Sequence, residues 1–182
     1  MTKSKPKYTR ILAVAPSTRG FGYAVHEGQD TLVDRGGKRA SGDKNRECLA
    51  KVDELIDHWQ PEVLVLEDSS GKGSRRAPRI QKLCKGIIAL ARNRKVSMKV
   101  FSRKTIRKVF FVDGQGTRHD VAKMVAEWFP EELGLLLPSK RRACDDGEDP
   151  RMDIFDAVAL VMVHRLREAN RTAYRIATEP VS

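Results

Sequence analysis

The sequence predicts an α/β fold: a mixed five-stranded sheet, made of an antiparallel meander followed by parallel strands, with helices on both faces. Near the start, three short apolar segments are separated by tight-turn residues, including Gly28-Gln29-Asp30, a spacing typical of an antiparallel meander. From about Asn45 onward, apolar runs alternate with segments whose apolar residues recur every three or four positions, the period of an amphipathic helix. Alternating strands and helices of this kind form a sheet that helices cover.

Each element follows from its own pattern. Short apolar runs predict strands over residues 11–14, 20–25, from 31, 63–66 and 98–101. Helical periodicity predicts helices over residues 45–59, 79–93, 119–129 and 152–170, with at least one helical turn within 102–111. A length of 182 residues suits a single domain, 1–182, with a basic arm at 1–9, an irregular connection at 130–150 and a loose tail at 171–182.

Composition limits the function classes. The chain has 35 Lys and Arg against 24 Asp and Glu, a formal net charge of +11, which favours a polyanionic partner such as nucleic acid. Its three cysteines are far apart, so neither a disulfide framework nor a zinc site is expected. No stretch approaches the roughly 20 apolar residues of a membrane span. We therefore expect a cytoplasmic protein with no membrane contact.

Three acidic residues are candidate metal ligands. Glu67 closes the apolar strand VLVLE, and ligands of open α/β sheets bind near such strand ends. Asp153 and Asp156 are three residues apart at the start of the last helix, so both lie on one face. Grouped carboxylates suit Mg²⁺ or Mn²⁺, and two such ions can promote phosphodiester hydrolysis. The alternatives are an ordinary strand-end carboxylate and two aspartates that favour the positive helix end.

The order of these motifs resembles that of the RuvC-type Holliday-junction resolvases, a ribonuclease-H-like group. The similar segments are ILAVAPSTRGFGYAV, the strand that ends in Glu67, Lys85-Gly86, the basic run FSRKTIRKVFFVDGQGTRHDVAKMV, and MDIFDAVALVMVH. Together they extend from about Arg10 to Leu166. The resemblance implies a ribonuclease-H-like fold, a homodimer through the helix at 79–93, and Mg²⁺-dependent cutting of branched DNA such as a four-way junction.

The resemblance also assigns roles to basic residues. It places Arg107 and Arg118 where family members carry DNA-binding lysines. The Gly-rich basic loop would line the approach of the DNA with Lys72, Arg75, Arg76 and Arg79, although such loops are often only solvated connections. The resolvase pattern places an aromatic residue shortly after the strand-end glutamate, for stacking in the opened junction. Here Asp68-Ser69-Ser70-Gly71 follows Glu67.

Ala15 is the main departure from the family pattern, which has a metal-bridging aspartate at this position. Alanine has no ligand oxygen, so the catalytic set of positions 15, 67, 153 and 156 is incomplete. Either an aspartate has been replaced to inactivate the protein, or the site is naturally degenerate; the persistence of the other three carboxylates favours the first explanation. We expect a structure-selective endonuclease that is inactive or impaired as written. The alternatives are a non-cleaving branched-DNA-binding protein and a nuclease of this fold that acts on structured RNA.

Overall fold

The computed structural model describes residues 9–68, 77–140 and 149–178. Five strands form one mixed sheet in the order β3-β2-β1-β4-β5. The first three pair antiparallel, and β4 and β5 run parallel to β1, which confirms the predicted sheet. The strands are β1 Arg10–Pro16, β2 Gly20–Glu27, β3 Thr31–Arg39, β4 Val63–Glu67 and β5 Ser97–Phe101.

The described residues form six α-helices and one short 3₁₀ turn. The predicted helices are present, most with small shifts of their ends. The prediction of a loose tail from residue 171 is wrong as far as Thr178, because no glycine or proline interrupts the last helix before Pro180. Within the stretch 130–150, predicted to be irregular, Pro130 begins a short helix because proline suits the first helical turn. The helices are α1 Lys44–Trp59, α2 Pro78–Asn93, α3 Arg103–Phe110, α4 Arg118–Trp128, α5 Pro130–Leu133 and α6 Met152–Thr178, with the 3₁₀ turn at Gly134–Leu136.

Helices cover both faces of the sheet, as predicted, and each face has its own core. Successive strand residues point to opposite faces, so β1 divides its side chains between the two cores. Leu12 and Val14 pack under α1 and α2, whereas Ala13 and Ala15 pack on the side of α6. The position of the missing aspartate therefore faces α6, the helix that carries the two candidate aspartates.

Gly22 permits an unusually close approach of α6 to the sheet. Gly22 is paired with Ala15 across the β1–β2 ladder. A Cβ atom placed on Gly22 would stand 1.9 Å from the carbonyl oxygen of Asp153 and 2.8 Å from the amide nitrogen of Ile154. Only a residue without a side chain leaves room for the helix backbone here.

His26 is a buried polar residue on β2, beside a shift of the β2–β3 register. Its ring packs edge-to-face against Phe129, and neither ring nitrogen has a hydrogen-bond partner in the described part of the chain. Burial, reinforced by the positive charge of Arg165 and opposed by Asp30, lowers the pKa of His26 from 6.5 to about 4. The folded protein therefore holds this imidazole in its neutral form at neutral pH.

We predict that His26 makes the fold sensitive to mild acid. The unfolded chain binds a proton at His26 below pH about 6.5 and the folded chain only near pH 4, so stability is lost as the pH falls between these values. Protonation of His26 should therefore lower the free energy of unfolding, measured by urea titration, by up to about 3 kcal/mol over this pH range.

The His26→Phe variant should show a weaker dependence of this free energy on pH. The buried His164, whose pKa is also lowered by burial, accounts for the dependence that remains. The exposed His58→Gln variant should retain the parent profile, and an unchanged profile in His26→Phe would contradict the prediction.

We also predict that Gly22→Ala destabilises the protein. The added methyl group must displace the backbone at the start of α6, and such overpacking costs about 1–3 kcal/mol. Gly37→Ala is the matched control on β3, because a Cβ atom at Gly37 has nothing within 4 Å. Urea denaturation should therefore separate the two variants, and equal stability would show that α6 moves without cost.

Candidate functional site

The ends of β1 and β4 lie side by side at one edge of the sheet. Val14 is in register with Leu66, so the next residues, Ala15 and Glu67, are neighbours across the two parallel strands. Both are buried, with 3% and 6% of their surface exposed. Position 15 and the strand-end glutamate are therefore neighbours. Position 15 carries a methyl group where the family pattern has a carboxylate.

The start of α6 places two aspartates over this edge. Asp153 sits on Gly22, the cross-strand neighbour of Ala15, and Asp156 follows one helical turn later. Glu67 and Asp156 line the same cleft. One carboxylate of β4 and one of α6 thus border the same cleft, and Asp153 lies against the cross-strand neighbour of Ala15.

Arg118 joins the two aspartates. Its Nε donates to both carboxylate oxygens of Asp156, at 3.1 and 3.0 Å. Its Nη2 donates to Oδ2 of Asp156 at 2.6 Å and to Oδ1 of Asp153 at 3.1 Å. Arg118 is the first residue of α4, where a capping box between Thr117 and Asp120 fixes the start of the helix. The cap therefore holds the guanidinium group against the start of α6.

Arg103 provides a second guanidinium group, which the sequence analysis did not single out. Its Nε donates to Oε1 of Glu67 at 3.1 Å. Arg103 is the first residue of α3. The Ser102 side chain caps the start of this helix by accepting a hydrogen bond from the backbone amide of Thr105. The sequence feature that could have indicated Arg103 is Ser102, a typical N-cap residue that follows the short fifth strand and directly precedes this arginine.

Burial and charge oppose each other at Asp153. Removal from water raises the pKa of the Asp153 carboxyl above its ordinary value, and the nearby Asp156 carboxylate acts in the same direction. Ser17 and Arg118 oppose that rise because they favour the ionised form. Ser17 and Arg118 therefore offset part of the cost of burying the Asp153 carboxylate.

As they stand, these residues do not fit the metal centre that the sequence predicts. Among residues 9–68, 77–140 and 149–178, no group of three His, Cys, Asp or Glu side chains is arranged to hold a metal ion. Ala15 supplies no oxygen, and each carboxylate is already bonded to a guanidinium group. The arrangement is a set of ion pairs between largely buried carboxylates and two guanidinium groups.

The other predicted residues fall in different places. Arg107 is exposed and lines the cleft that Glu67 and Asp156 form. Arg79 lies on the opposite, α1–α2 side, where it donates to the side chain of Asn45 and to the carbonyl oxygen of Ser17. Asp68 lines a groove beside α2 that Glu67 also borders. Lys72, Arg75 and Arg76 lie outside the described residues.

No helix in the described part of the chain is both long enough and apolar enough to cross a membrane.

Comparison with known proteins identifies the fold. No protein-family model matches the sequence, and no curated protein sequence matches it. The structure is similar to that of RuvC from Thermus thermophilus, with a TM-score of 0.66 and 15% identity over 90% of this chain and 98% of RuvC. T. thermophilus RuvC in complex with Holliday junction substrate gives a TM-score of 0.65 and 17% identity over 88% and 95% of the two chains.

A third similar structure is the yeast mitochondrial Holliday junction resolvase Ydc2. It has a TM-score of 0.63 and 15% identity over 94% of this chain and 84% of Ydc2. At such low identity the likeness shows the fold, and the chain therefore has the RuvC-type, ribonuclease-H-like fold that the sequence motifs predicted.

Proposed function

We propose that this chain is a resolvase-like protein that binds four-way DNA junctions and, as written, cuts them poorly or not at all. The arrangement of Glu67, Asp153 and Asp156 near the end of β1 carries the proposal, because acidic residues of two separated motifs border position 15. The fold supports it, since T. thermophilus RuvC has this fold and has been solved with a Holliday junction substrate.

The cleft carries a basic side chain suited to a phosphate contact. Arg103, Arg107 and Arg118 line it, and Arg107 is exposed with no carboxylate partner among the described ion pairs. Guanidinium groups bind phosphate oxygens through paired hydrogen bonds. Arg107 is therefore the proposed phosphate contact in this cleft. Arg79, Lys72, Arg75 and Arg76 remain proposed contacts along the approach.

The absence of a carboxylate at position 15 affects the proposed cutting of DNA but not the proposed binding. Because the present donor set does not fit a metal centre, no hydrolytic step through Mg²⁺ or Mn²⁺ follows for this chain. An aspartate at position 15 would add a fourth carboxylate beside Glu67 and Asp153. Metal-dependent endonuclease activity is therefore proposed only for the chain with that change.

A homodimer is part of the proposal, because a four-way junction offers two symmetry-related strands and a two-fold pair of sites matches them. The proposed surface is α2. Ile87 is fully buried in the core of its own chain, so a dimer contact must use other positions, such as the half-buried Ile88 and the exposed Ala89.

The binding proposal is tested by gel shifts with a four-way junction, duplex DNA and an RNA hairpin in the presence of EDTA. We expect the junction to bind at least about tenfold more tightly than duplex, with affinity that falls as salt rises. Arg107→Ala should weaken junction binding, and Arg94→Ala, which removes an ion-paired arginine at the end of α2, should not. If the RNA hairpin binds most tightly, the alternative of a nuclease of this fold that acts on structured RNA is favoured. Equal affinity for all three nucleic acids would contradict structure-selective recognition.

The cutting proposal is tested by comparing Ala15, Ala15→Asp and Ala15→Asn on a labelled four-way junction with Mg²⁺ or Mn²⁺. We expect metal-dependent nicking only with aspartate, because asparagine has a similar volume but no charge for a cation. Junction binding in EDTA verifies that each variant is folded. If the aspartate variant binds junctions but stays inert on junctions, flaps and duplexes alike, the nuclease proposal is wrong.

A further inference from the structure

We propose that Arg118 is a built-in counter-ion that takes the place of a divalent metal ion in this chain. Its guanidinium group holds Asp153 and Asp156 together, so that the pair binds a divalent cation only after Arg118 has been removed from it. This inference concerns the ionic state of the site and does not depend on junction binding.

The contact geometry shows how completely Arg118 occupies the pair. Four hydrogen bonds of 2.6–3.1 Å join two of its nitrogens to three carboxylate oxygens. A guanidinium fork of this kind matches the planar geometry of carboxylates and makes strong, charge-assisted hydrogen bonds. The oxygens that a cation would need are therefore the ones that Arg118 already uses.

The electrostatics favour the same conclusion. Asp153 and Asp156 are largely removed from water, with 13% and 22% of their side-chain surfaces exposed. Two like charges at such a site are costly unless a positive group compensates them. The guanidinium group supplies one charge, and the positive end of α6 offsets part of the remainder. The pair is thus stabilised without a metal ion.

Ala15 removes the advantage that a cation would otherwise have. Mg²⁺ and Mn²⁺ compete well where several oxygens converge on one point. Here β1 offers only a methyl group. A cation that entered the site would gain two aspartate ligands, but its entry would break the ion pairs between Arg118 and those aspartates. A single position on β1 therefore decides whether a guanidinium group or a metal ion neutralises the start of α6.

Arg103 is a weaker candidate for the same role. Its side chain is 57% exposed and binds one carboxylate, that of Glu67, whereas Arg118 is 27% exposed and binds two carboxylates. Exposed ion pairs contribute little, because water and salt screen them. The decisive test therefore concerns Arg118.

The experiment measures thermal unfolding of the whole chain in EDTA and in Mn²⁺, together with Mn²⁺ binding followed by electron paramagnetic resonance. The variants are Arg118→Met and Arg118→Gln; glutamine retains a hydrogen-bond donor in case methionine prevents folding. Arg94→Met is the matched control, because Arg94 forms a two-bond ion pair with Asp53 away from the site. A double variant, Arg118→Gln with Asp156→Asn, tests whether any new cation site uses the aspartate pair.

We expect the melting temperature of the unaltered chain to be the same in EDTA and in Mn²⁺. The Arg118 variants should melt lower in EDTA and regain about 3–6 °C in Mn²⁺ at ten times its dissociation constant. They should bind Mn²⁺ at least about tenfold more tightly than the unaltered chain, and the double variant should lose that gain. Arg94→Met should show no response to Mn²⁺.

Two results would overturn the proposal. In the first, the unaltered chain binds Mn²⁺ as tightly as the Arg118 variants and is stabilised by it. In the second, the variants fold but show no gain in Mn²⁺ affinity, which would give Arg118 a purely structural role. Neither result bears on the EDTA gel shifts, so this inference and the proposed junction binding can fail separately.

Discussion

The close backbone contact between Gly22 and the start of α6 is the constraint on which the candidate site depends. Because β2 has no side chain at this point, the carbonyl of Asp153 lies directly against the sheet, opposite Ala15. A bulkier residue would lift the helix away from the strand ends. The helix would then carry its aspartates away from Glu67, and the acidic residues of the separate motifs would no longer converge.

The site also ties the surrounding helices to the sheet. Arg118 connects the start of α4 to the start of α6, and Arg103 connects the start of α3 to the end of β4. In both helices a side-chain cap fixes the turn that carries the arginine. Buried carboxylates are costly when isolated, so these ion pairs make the position of each helix start part of the electrostatic balance of the site. A change in one charge will therefore affect both the chemistry and the packing.

The fold and the chemistry of the site follow separate rules in this protein. The RuvC-type architecture is present across most of the chain at 15–17% identity to the compared structures. Architecture of this kind needs apolar faces, strand order and the close contact at Gly22, none of which depends on a carboxylate at position 15. The scaffold therefore does not require a carboxylate at position 15, and in this chain Arg118 forms ion pairs with both aspartates of α6.

By itself the sequence determined the five strands, the alternation with helices and the acidic positions at strand and helix ends, because periodicity and strand-end placement are local properties. It also located Ala15 as the gap in the acidic set. It did not predict that Pro130–Leu133 is helical, or that Arg103 binds Glu67. Only the tertiary structure decided which charges meet: Arg118 lies 35 residues from Asp153, and the packing of α4 on α6 brings them together. Side-chain partners across such distances depend on how helices pack, which no local pattern records.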